Sequence, residues 1–401
     1  MSRPQTTETV QDRRLIGYMF IDTHQDTFTY AVAAEGREEP TAARTISSDP
    51  RQLRKALKKL DAEYALRICY EADGSGYELS RQLRDWGYPC EVMAPSLTPK
   101  KPGDHRKNDQ RDAKQGAKSY RAGDLTPICV PTVEREEERA LVRCRNQLLN
   151  AQKRFKYQLN SFLRTNALSY RDGKNWTKKH LDWIRGLALS PSKQFVVTEL
   201  LLQIDVLELQ LQRCAEAIEA LAQQPRYRDL VAALRAFRGF ETLTAVSLCV
   251  ELGELRRFAT PGELMSYLGL TCGEDRSSDH GEWLHITKAG NSLCRRLLVE
   301  ASWHYEHTPG VSRKLRRRQE GVAPEVVAHA WNAQKRLHKR FWHLARRKNR
   351  QVAVVAVARE LAGFVWAVAT QLVPPPPSDC ADAAPGLSPA LWGLPTIPAL
   401  R

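Results

Sequence analysis

Several things are missing from this 401-residue sequence, and each absence narrows its class. Residues 1–14 are polar and carry no hydrophobic leader core, which argues against secretion. No apolar run is long enough to span a bilayer. The best candidate, 352–373, is interrupted by Arg359 and Glu360 and reads as a buried helix, so no membrane association is expected. The nine cysteines include no Cys-x-x-Cys pair and no zinc spacing with the histidines. An odd number without a leader points to reduced thiols and a cytoplasmic setting, with most of them expected as small core residues. No internal repeat is evident. Acids are also short: 46 Asp and Glu stand against 61 Lys and Arg, a net charge of +15. A surplus of that size suits a polyanionic partner, nucleic acid before acidic membrane. A 42% hydrophobic content supports folded cores, and the length suits two domains with a linker.

After a 1–14 extension, residues 15–132 read as an α/β domain with a mixed sheet. Apolar runs at 15–21, 28–33 and 43–46 have strand character and are separated by polar turns. A helix is predicted at 51–60, a strand at 66–70, a helix at 77–86, a strand at 90–93, a helix at 108–122 and a strand at 128–130. A meander followed by alternating helices and strands has that architecture. Residues 133–228 change to helical periodicity. Val197, Leu200, Ile204, Leu207, Leu211, Cys214, Ile218 and Leu221 recur at alternating steps of three and four, a heptad seam of the coiled-coil kind. The pattern leaves open whether a hairpin of the same chain or a second subunit covers the seam. Residues 229–372 are predicted mostly helical, and 373–401 form a Pro/Ala-rich tail expected to be disordered. Within 310–350, bases such as Arg313, Arg316, Arg317, Lys335, Lys339 and Arg340 are interleaved with Trp331, Phe341 and Trp342. Such a mixture can track a phosphate backbone while aromatics stack on bases.

Four carboxylates carry the chemistry. Asp22 closes the first predicted strand and Glu71 the fourth, positions that can be neighbours in an α/β sheet. Asp109 and Asp112 lie three apart on a predicted helix and project from one face. If that helix packs beside the first strand, four acids converge, and they repel unless a cation lies among them. Hard oxygen donors suit Mg2+ or Mn2+. Two such ions about 4 Å apart can hold a phosphodiester and activate an attacking oxygen. Taken singly, each acid reads as an ordinary surface carboxylate. The nearby Lys100, Lys101, Arg106, Lys107, Arg111 and Lys114 are suited to phosphates.

These residues stand in longer motifs. Tyr70-Glu71-Ala72, Gly74 and Gly76-Tyr77 are followed by Pro95-Ser96-Leu97-x-Pro99-Lys100-Lys101-Pro102-Gly103-Asp104. Next come Lys107-x-Asp109-x-x-Asp112-Ala113 and Arg121-Ala122-Gly123-Asp124-Leu125. Further on are Leu264-Met265-Ser266-Tyr267-Leu268-Gly269-Leu270, Ile286-Thr287-Lys288-Ala289-Gly290-Asn291 and Arg295-Arg296-Leu297-Leu298-Val299-Glu300-Ala301. Across about 15–370, in order and in both halves, the chain resembles the DEDD transposases of the insertion-sequence 110 family. The resemblance implies an N-terminal RuvC-like (RNase H fold) domain whose DEDD set is Asp22, Glu71, Asp109 and Asp112. It implies a helical coiled-coil middle and a mostly α C-terminal transposase domain with a catalytic serine. It further implies recombination of donor and target DNA, guidance by a structured bridge RNA encoded by the element, and tetramers built from dimers. The serine is expected to form a covalent phosphoserine link, in a composite site with the acids of another subunit. Counting back from Ile286 places it at Ser277. The chain reads Arg276-Ser277-Ser278-Asp279 where a Ser-Gly pair is usual, so Ser278 is an alternative.

A serine hydroxyl needs an activator. A cation at the acids is the favoured one, and His280 or His285 as base the alternative. A phosphoserine conserves the phosphodiester energy, so strands can be resealed without ATP, in keeping with the absence of a Gly-x-x-x-x-Gly-Lys-Ser/Thr loop. Lys288, Arg295 and Arg296 are candidate phosphate clamps. Residues 237–253 resemble a weak helix–hairpin–helix unit in which Glu241 replaces the second hairpin glycine. A metal-dependent hydrolytic nuclease or junction resolvase, with water as nucleophile, is the competing reading.

Overall fold

The structure, a computed structural model, describes residues 14–72, 76–98, 108–275 and 282–375. The chain divides into two compact units, 1–130 and 131–401.

The first unit is built on one five-stranded sheet. Its strands are β1 (Leu15–Thr23), β2 (Thr27–Ala34), β3 (Arg44–Ser47), β4 (Tyr64–Glu71) and β5 (Cys90–Met93), in the order β3-β2-β1-β4-β5. The first three form an antiparallel meander, while β4 runs parallel to β1 and β5 parallel to β4. This mixed sheet is consistent with the RuvC-like domain expected. Strand alternation divides the side chains between two faces. Met19, Ile21, Tyr30, Val32, Ile68 and Tyr70 pack against helices α1 (Pro50–Leu60) and α2 (Glu78–Asp85). Phe20, Ala31, Ala33 and Cys69 pack against α3 (Asp109–Ala122). α1 starts where the Asp49 side chain accepts the Arg51 N–H at 2.8 Å, with Pro50 at its first position. Leu53 and Leu57, one turn apart, carry it into the core.

α3 lies unusually close to the sheet. A Cβ on Gly116 would stand 2.4 Å from Cγ of Phe20, so the helix backbone rests directly on that ring. The Asn108 side chain caps its start by accepting the Gln110 N–H at 3.0 Å, and Gly123, at φ 77°, ends it. The strand predicted at 128–130 does not form. The Ile128 N–H donates to Val92 O at 2.8 Å, but only an isolated bridge joins Met93 and Pro127. Pro127 and Pro131 have no N–H to extend a ladder.

The second unit begins with a helical hairpin, α4 (Val133–Thr165) and α6 (Pro191–Ala222), with α5 (Lys178–Arg185) between them in the chain. Val142 packs with Ile218 and Leu221, whereas Leu159 and Leu163 pack with Val197 and Leu201, so the two helices run antiparallel. The seam residues Val197, Ile204, Leu207, Leu211, Ile218 and Leu221 are buried within this chain. The body beyond holds α7 (Pro225–Arg235), α8 (Thr242–Leu252), α9 (Pro261–Tyr267), α10 (Ser292–Ser302), α11 (Arg313–Gln319), α12 (Pro324–Ala345) and α13 (Arg350–Ala367). α13 is long and apolar enough to cross a membrane by composition. It is instead buried along Ala353, Val354, Val357, Ala358, Leu361 and Ala362, against α9, α10 and α12. An antiparallel pair, β6 (Cys272–Asp275) and β7 (Glu282–Ile286), interrupts the helices and was not anticipated. Of the described cysteines, Cys69, Cys90, Cys249 and Cys294 are core residues, Cys214 is half-buried and Cys129, Cys144 and Cys272 are exposed, so half rather than most lie in the core.

Candidate active site

The sheet register sets the acids side by side. β1 and β4 pair in parallel from Leu15 with Tyr64 to Ile21 with Tyr70, and one further step aligns Asp22 with Glu71. Each lies two residues beyond a side chain packed under α3, namely Phe20 and Cys69, so both belong to the α3 face. On α3, Asp109 and Asp112 precede the buried Ala113 and Gly116 by one turn and occupy the first turn. The positive end of the helix dipole favours acids there. Because Gly116 seats α3 on Phe20, the helix start comes down over the end of β1.

The closest convergence joins Asp22, Asp109 and His24, whose ligand atoms all lie within 4.8 Å of one another. His24 Nε2 is 3.6 Å from Asp22 Oδ2 and 3.4 Å from Asp109 Oδ2. Side-chain exposures of 21% for Asp22 and 47% for Asp109 leave this end of the sheet open to a ligand. Glu71 and Asp112 share the face but are not in that tight group. Glu71 Oε1 accepts the Thr98 hydroxyl at 2.9 Å. Two carboxylates and an imidazole form a donor set that fits a divalent cation. Sequence reasoning missed His24 and Thr98. His24 had a signal, since it lies two residues past Asp22 and strand alternation returns it to the same side.

Arg111 is exposed on α3. Lys100, Lys101, Arg106 and Lys107 lie outside the described residues, as do Ser277, Ser278 and His280. The chain enters that serine segment from β6 and leaves it through β7, and beyond β7 the backbone is tightly held. Gly269 and Gly290 have φ of 64° and 68°. A Cβ on Gly290 would fall 1.8 Å from Tyr267 O, and one on Gly269 would fall 2.4 Å from Ala289 O. The two turns therefore interlock as only glycines allow. Between them Lys288 is exposed and adopts φ 55°, a region rare for a residue with a Cβ. Arg295 Nη1 donates to Leu268 O at 2.8 Å and Ala289 O at 2.9 Å, bolting the turns together. Arg296 donates to Glu300 Oε1 and Asn146 Oδ1, each at 2.7 Å.

A carboxylate that the sequence did not single out anchors the same loop. Glu251, buried on α8, accepts Arg143 Nε at 2.7 Å and Nη2 at 3.0 Å from α4. It also accepts Asn291 Nδ2 at 2.7 Å, while Asn291 Oδ1 caps α10 by taking the Cys294 N–H at 3.0 Å. A lone acid inside the apolar run of α8 was the available signal. At the weak helix–hairpin–helix unit, Glu241 sits at the start of α8. Its carboxylate pairs with Arg318 at 2.7 Å and Lys314 at 3.0 Å, which hold it below the usual carboxylate range despite partial burial.

The basic stretch of 310–350 exposes Arg313, Arg316 and Arg317 on α11 and Lys335 and Lys339 on α12. Its aromatics divide: Trp342 is exposed and Trp331 half-buried, whereas Phe341 belongs to the core. Phe341 is fully buried, and the Trp342 indole N–H donates to Glu306 O at 2.8 Å.

Comparison with known proteins fits these features. A family model for DEDD transposases of the IS110 type matches residues 21–166, a span that includes all four acids. A second, described as transposase IS116/IS110/IS902 family, matches residues 231–315, which include Ser277 and the interlocked turns. A Sinorhizobium fredii (strain NBRC 101917 / NGR234) protein named as a transposase, y4qE, is 36% identical over 345 residues, 85% of each chain. The transposase for insertion sequence element IS1533 of Leptospira borgpetersenii is 29% identical over 338 residues, 82% of this chain and 96% of its own. The transposase for insertion sequence element IS1111A of Coxiella burnetii (strain RSA 493 / Nine Mile phase I) is 22% identical over 309 residues, 76% of this chain and 78% of its own. With a DEDD-type α/β unit, a helical unit matching the second family model and relatives aligned across both, this chain belongs to the IS110 family of insertion-sequence transposases.

Proposed function

We propose that this transposase cuts and rejoins DNA strands through a serine–phosphodiester intermediate, assisted by a divalent cation held at Asp22, Glu71, Asp109 and Asp112. The observation that carries the reading is the convergence of Asp22 and Asp109 from a strand end and a helix start onto one point. Mg2+ or Mn2+ suits the carboxylate donors. Once bound, such a cation supplies Lewis acidity and charge neutralisation at a phosphate oxygen.

The protein's own part follows from bond bookkeeping. The Ser277 hydroxyl, or that of Ser278, attacks phosphorus and gives up its proton. One ester oxygen of the strand leaves and takes a proton, so a phosphoserine and a free DNA hydroxyl result. A hydroxyl of the second strand then attacks the phosphoserine, restoring the serine and forming the new phosphodiester with no outside energy source. Lys288, exposed on its fixed loop, and Arg111, on the exposed side of α3, are suited to phosphate contacts. Lys100, Lys101, Arg106 and Lys107 share that proposed role, and Arg295 and Arg296 support the loop while contributing positive charge. The exposed bases of α11 and α12 suit a guide RNA encoded by the element. Phe195, Leu202 and Leu209 recur at seven-residue spacing on α6 with exposures of 66%, 51% and 59%. That second apolar stripe supports a homo-oligomer, a dimer assembling to a tetramer, acting on donor and target DNA in the cytoplasm.

Covalent trapping tests the proposal. Full-length protein, the structured RNA flanking its gene and donor DNA are incubated with Mg2+ and resolved under denaturing conditions. The expected result is a protein–DNA adduct that disappears with Ser277→Ala and with Asp109→Ala. Loss with Ser278→Ala alone would move the nucleophile by one residue. Metal-dependent cleavage without an adduct would replace the recombinase by a hydrolytic nuclease.

A further inference from the structure

One side chain enters the acid cluster that the four-carboxylate motif does not supply. His24 lies just past β1, where its backbone N–H donates to Thr27 O at 2.9 Å across the β1–β2 turn. The turn fixes the residue, and the imidazole reaches toward the start of α3. Nε2 is shielded from solvent and meets no acceptor in hydrogen-bond geometry. It nonetheless stands 3.6 Å from Asp22 Oδ2 and 3.4 Å from Asp109 Oδ2.

Those separations discriminate between two arrangements. A charge-assisted N–H···O bond closes to about 2.7–2.9 Å. Two donors each about 2.1 Å from a shared cation stand about 3.0 Å apart at a right angle and about 3.4 Å apart at the tetrahedral angle. The observed 3.4 and 3.6 Å are too long for the first arrangement and lie at and just beyond the upper end of the second. With Nε2 lacking an acceptor and the three ligand atoms within 4.8 Å of one another, all three are close enough to share one cation.

We infer that His24 Nε2 is a nitrogen ligand of the cation held by Asp22 and Asp109, and that it shifts the site's preference from Mg2+ toward Mn2+ and later first-row ions. The inference rests on the reading of the acids as a metal site. An all-oxygen donor set suits Mg2+, whereas an imidazole nitrogen adds affinity for transition ions and little for Mg2+. His24 therefore acts as a selectivity residue added to a carboxylate site, with the neutral ring bound through Nε2 and the proton on Nδ1.

The test is Mn2+ binding to the full chain without nucleic acid. Loss of the free-ion EPR signal gives affinity, and pulsed EPR reports 14N coupling to the bound ion. Wild type, His24→Ala and Asp109→Asn are compared, with Mg2+ as competitor. The expected result is nitrogen coupling in wild type and none in His24→Ala. The same substitution weakens Mn2+ binding about tenfold and changes Mg2+ competition by less than about twofold. Asp109→Asn loses the site. If Mn2+ binds in an Asp109-dependent way without nitrogen coupling, and His24→Ala binds as tightly or tighter, then His24 is a cationic partner of the two acids. That outcome overturns the inference and leaves the metal site standing. If wild type binds no Mn2+, or Asp109→Asn binds it equally well, the metal-site reading falls and the inference with it.

Discussion

Asp22 in the first unit and Glu251 in the second are both carboxylates held by regular structure, yet their surroundings differ. Asp22 closes a strand and converges with Asp109 and the His24 imidazole, at an end of the sheet where both carboxylates are partly exposed. Glu251 lies inside an apolar helix, 2% exposed, and its oxygens are taken by Arg143 and Asn291. Like charges brought together raise the energy of the site and create demand for a cation. A charge compensated on the spot creates no such demand, and it fixes neighbouring backbone instead. The first arrangement suits chemistry and the second suits construction. A charged residue in a motif can thus be either, and only its partners decide.

The contrast can be broken most severely at the acids. Asp22→Ala or Asp109→Ala removes a proposed metal ligand. Several kcal/mol of transition-state stabilisation are then lost, a drop of about 10^3-fold or more in strand transfer. The melting temperature should change little, since relief of the repulsion offsets the loss of the acid's local contacts. Strand-transfer rates and thermal denaturation on the same preparations check this. A coupled fall in both would make Asp22 a structural acid like Glu251.

The reverse holds for Glu251. Glu251→Ala strands Asn291 and removes the Arg143 pair, and breaking a buried pair destabilises by about 3 kcal/mol. Arg143 is 57% exposed, so solvent screening brings the expected loss below that figure. The second unit should melt earlier, and Glu251→Gln, which keeps an acceptor for Asn291, should recover part of the loss. Calorimetry resolves the two units and shows whether the effect stays in the second.

Gly116→Ala sharpens the comparison without touching a ligand. Overpacking against Phe20 costs about 1–3 kcal/mol, and it lifts the start of α3 that carries Asp109 and Asp112. Mn2+ affinity should fall, and Phe20→Leu in the same chain should restore part of it. Unchanged affinity would show that the helix seat does not position the acids. The smallest effect on stability is expected from Leu202→Glu with Leu209→Glu, because both side chains face outward on α6. Light scattering should show a lower molar mass with an unaltered melting temperature.

Much of the first unit was legible in the sequence because strand alternation and helix period report burial directly. The five strands, the three helices and the pairing of Asp109 with Asp112 on one helical face followed from them. Alternation could also have revealed His24, but a turn residue does not advertise the strand face it continues. The segment at 128–130 has the composition of a strand, but its flanking prolines lack the N–H that a ladder needs. In the second unit the heptad seam was legible, though not what covers it, because an apolar stripe packs equally well on its own chain or another. Interleaved aromatics at 331–342 suggested a stacking surface; helical phase turns Phe341 into the core but leaves Trp342 exposed. The Arg295 contacts depend on two turns meeting through space, which no local spacing encodes.

The most direct measurement of the central claim is anomalous diffraction from crystals soaked in Mn2+, recorded for wild type and Asp109→Asn. The account predicts a peak bounded by Asp22, Asp109 and His24 in wild type and its loss in the variant. No peak there in wild type, or one that persists in Asp109→Asn, would contradict it.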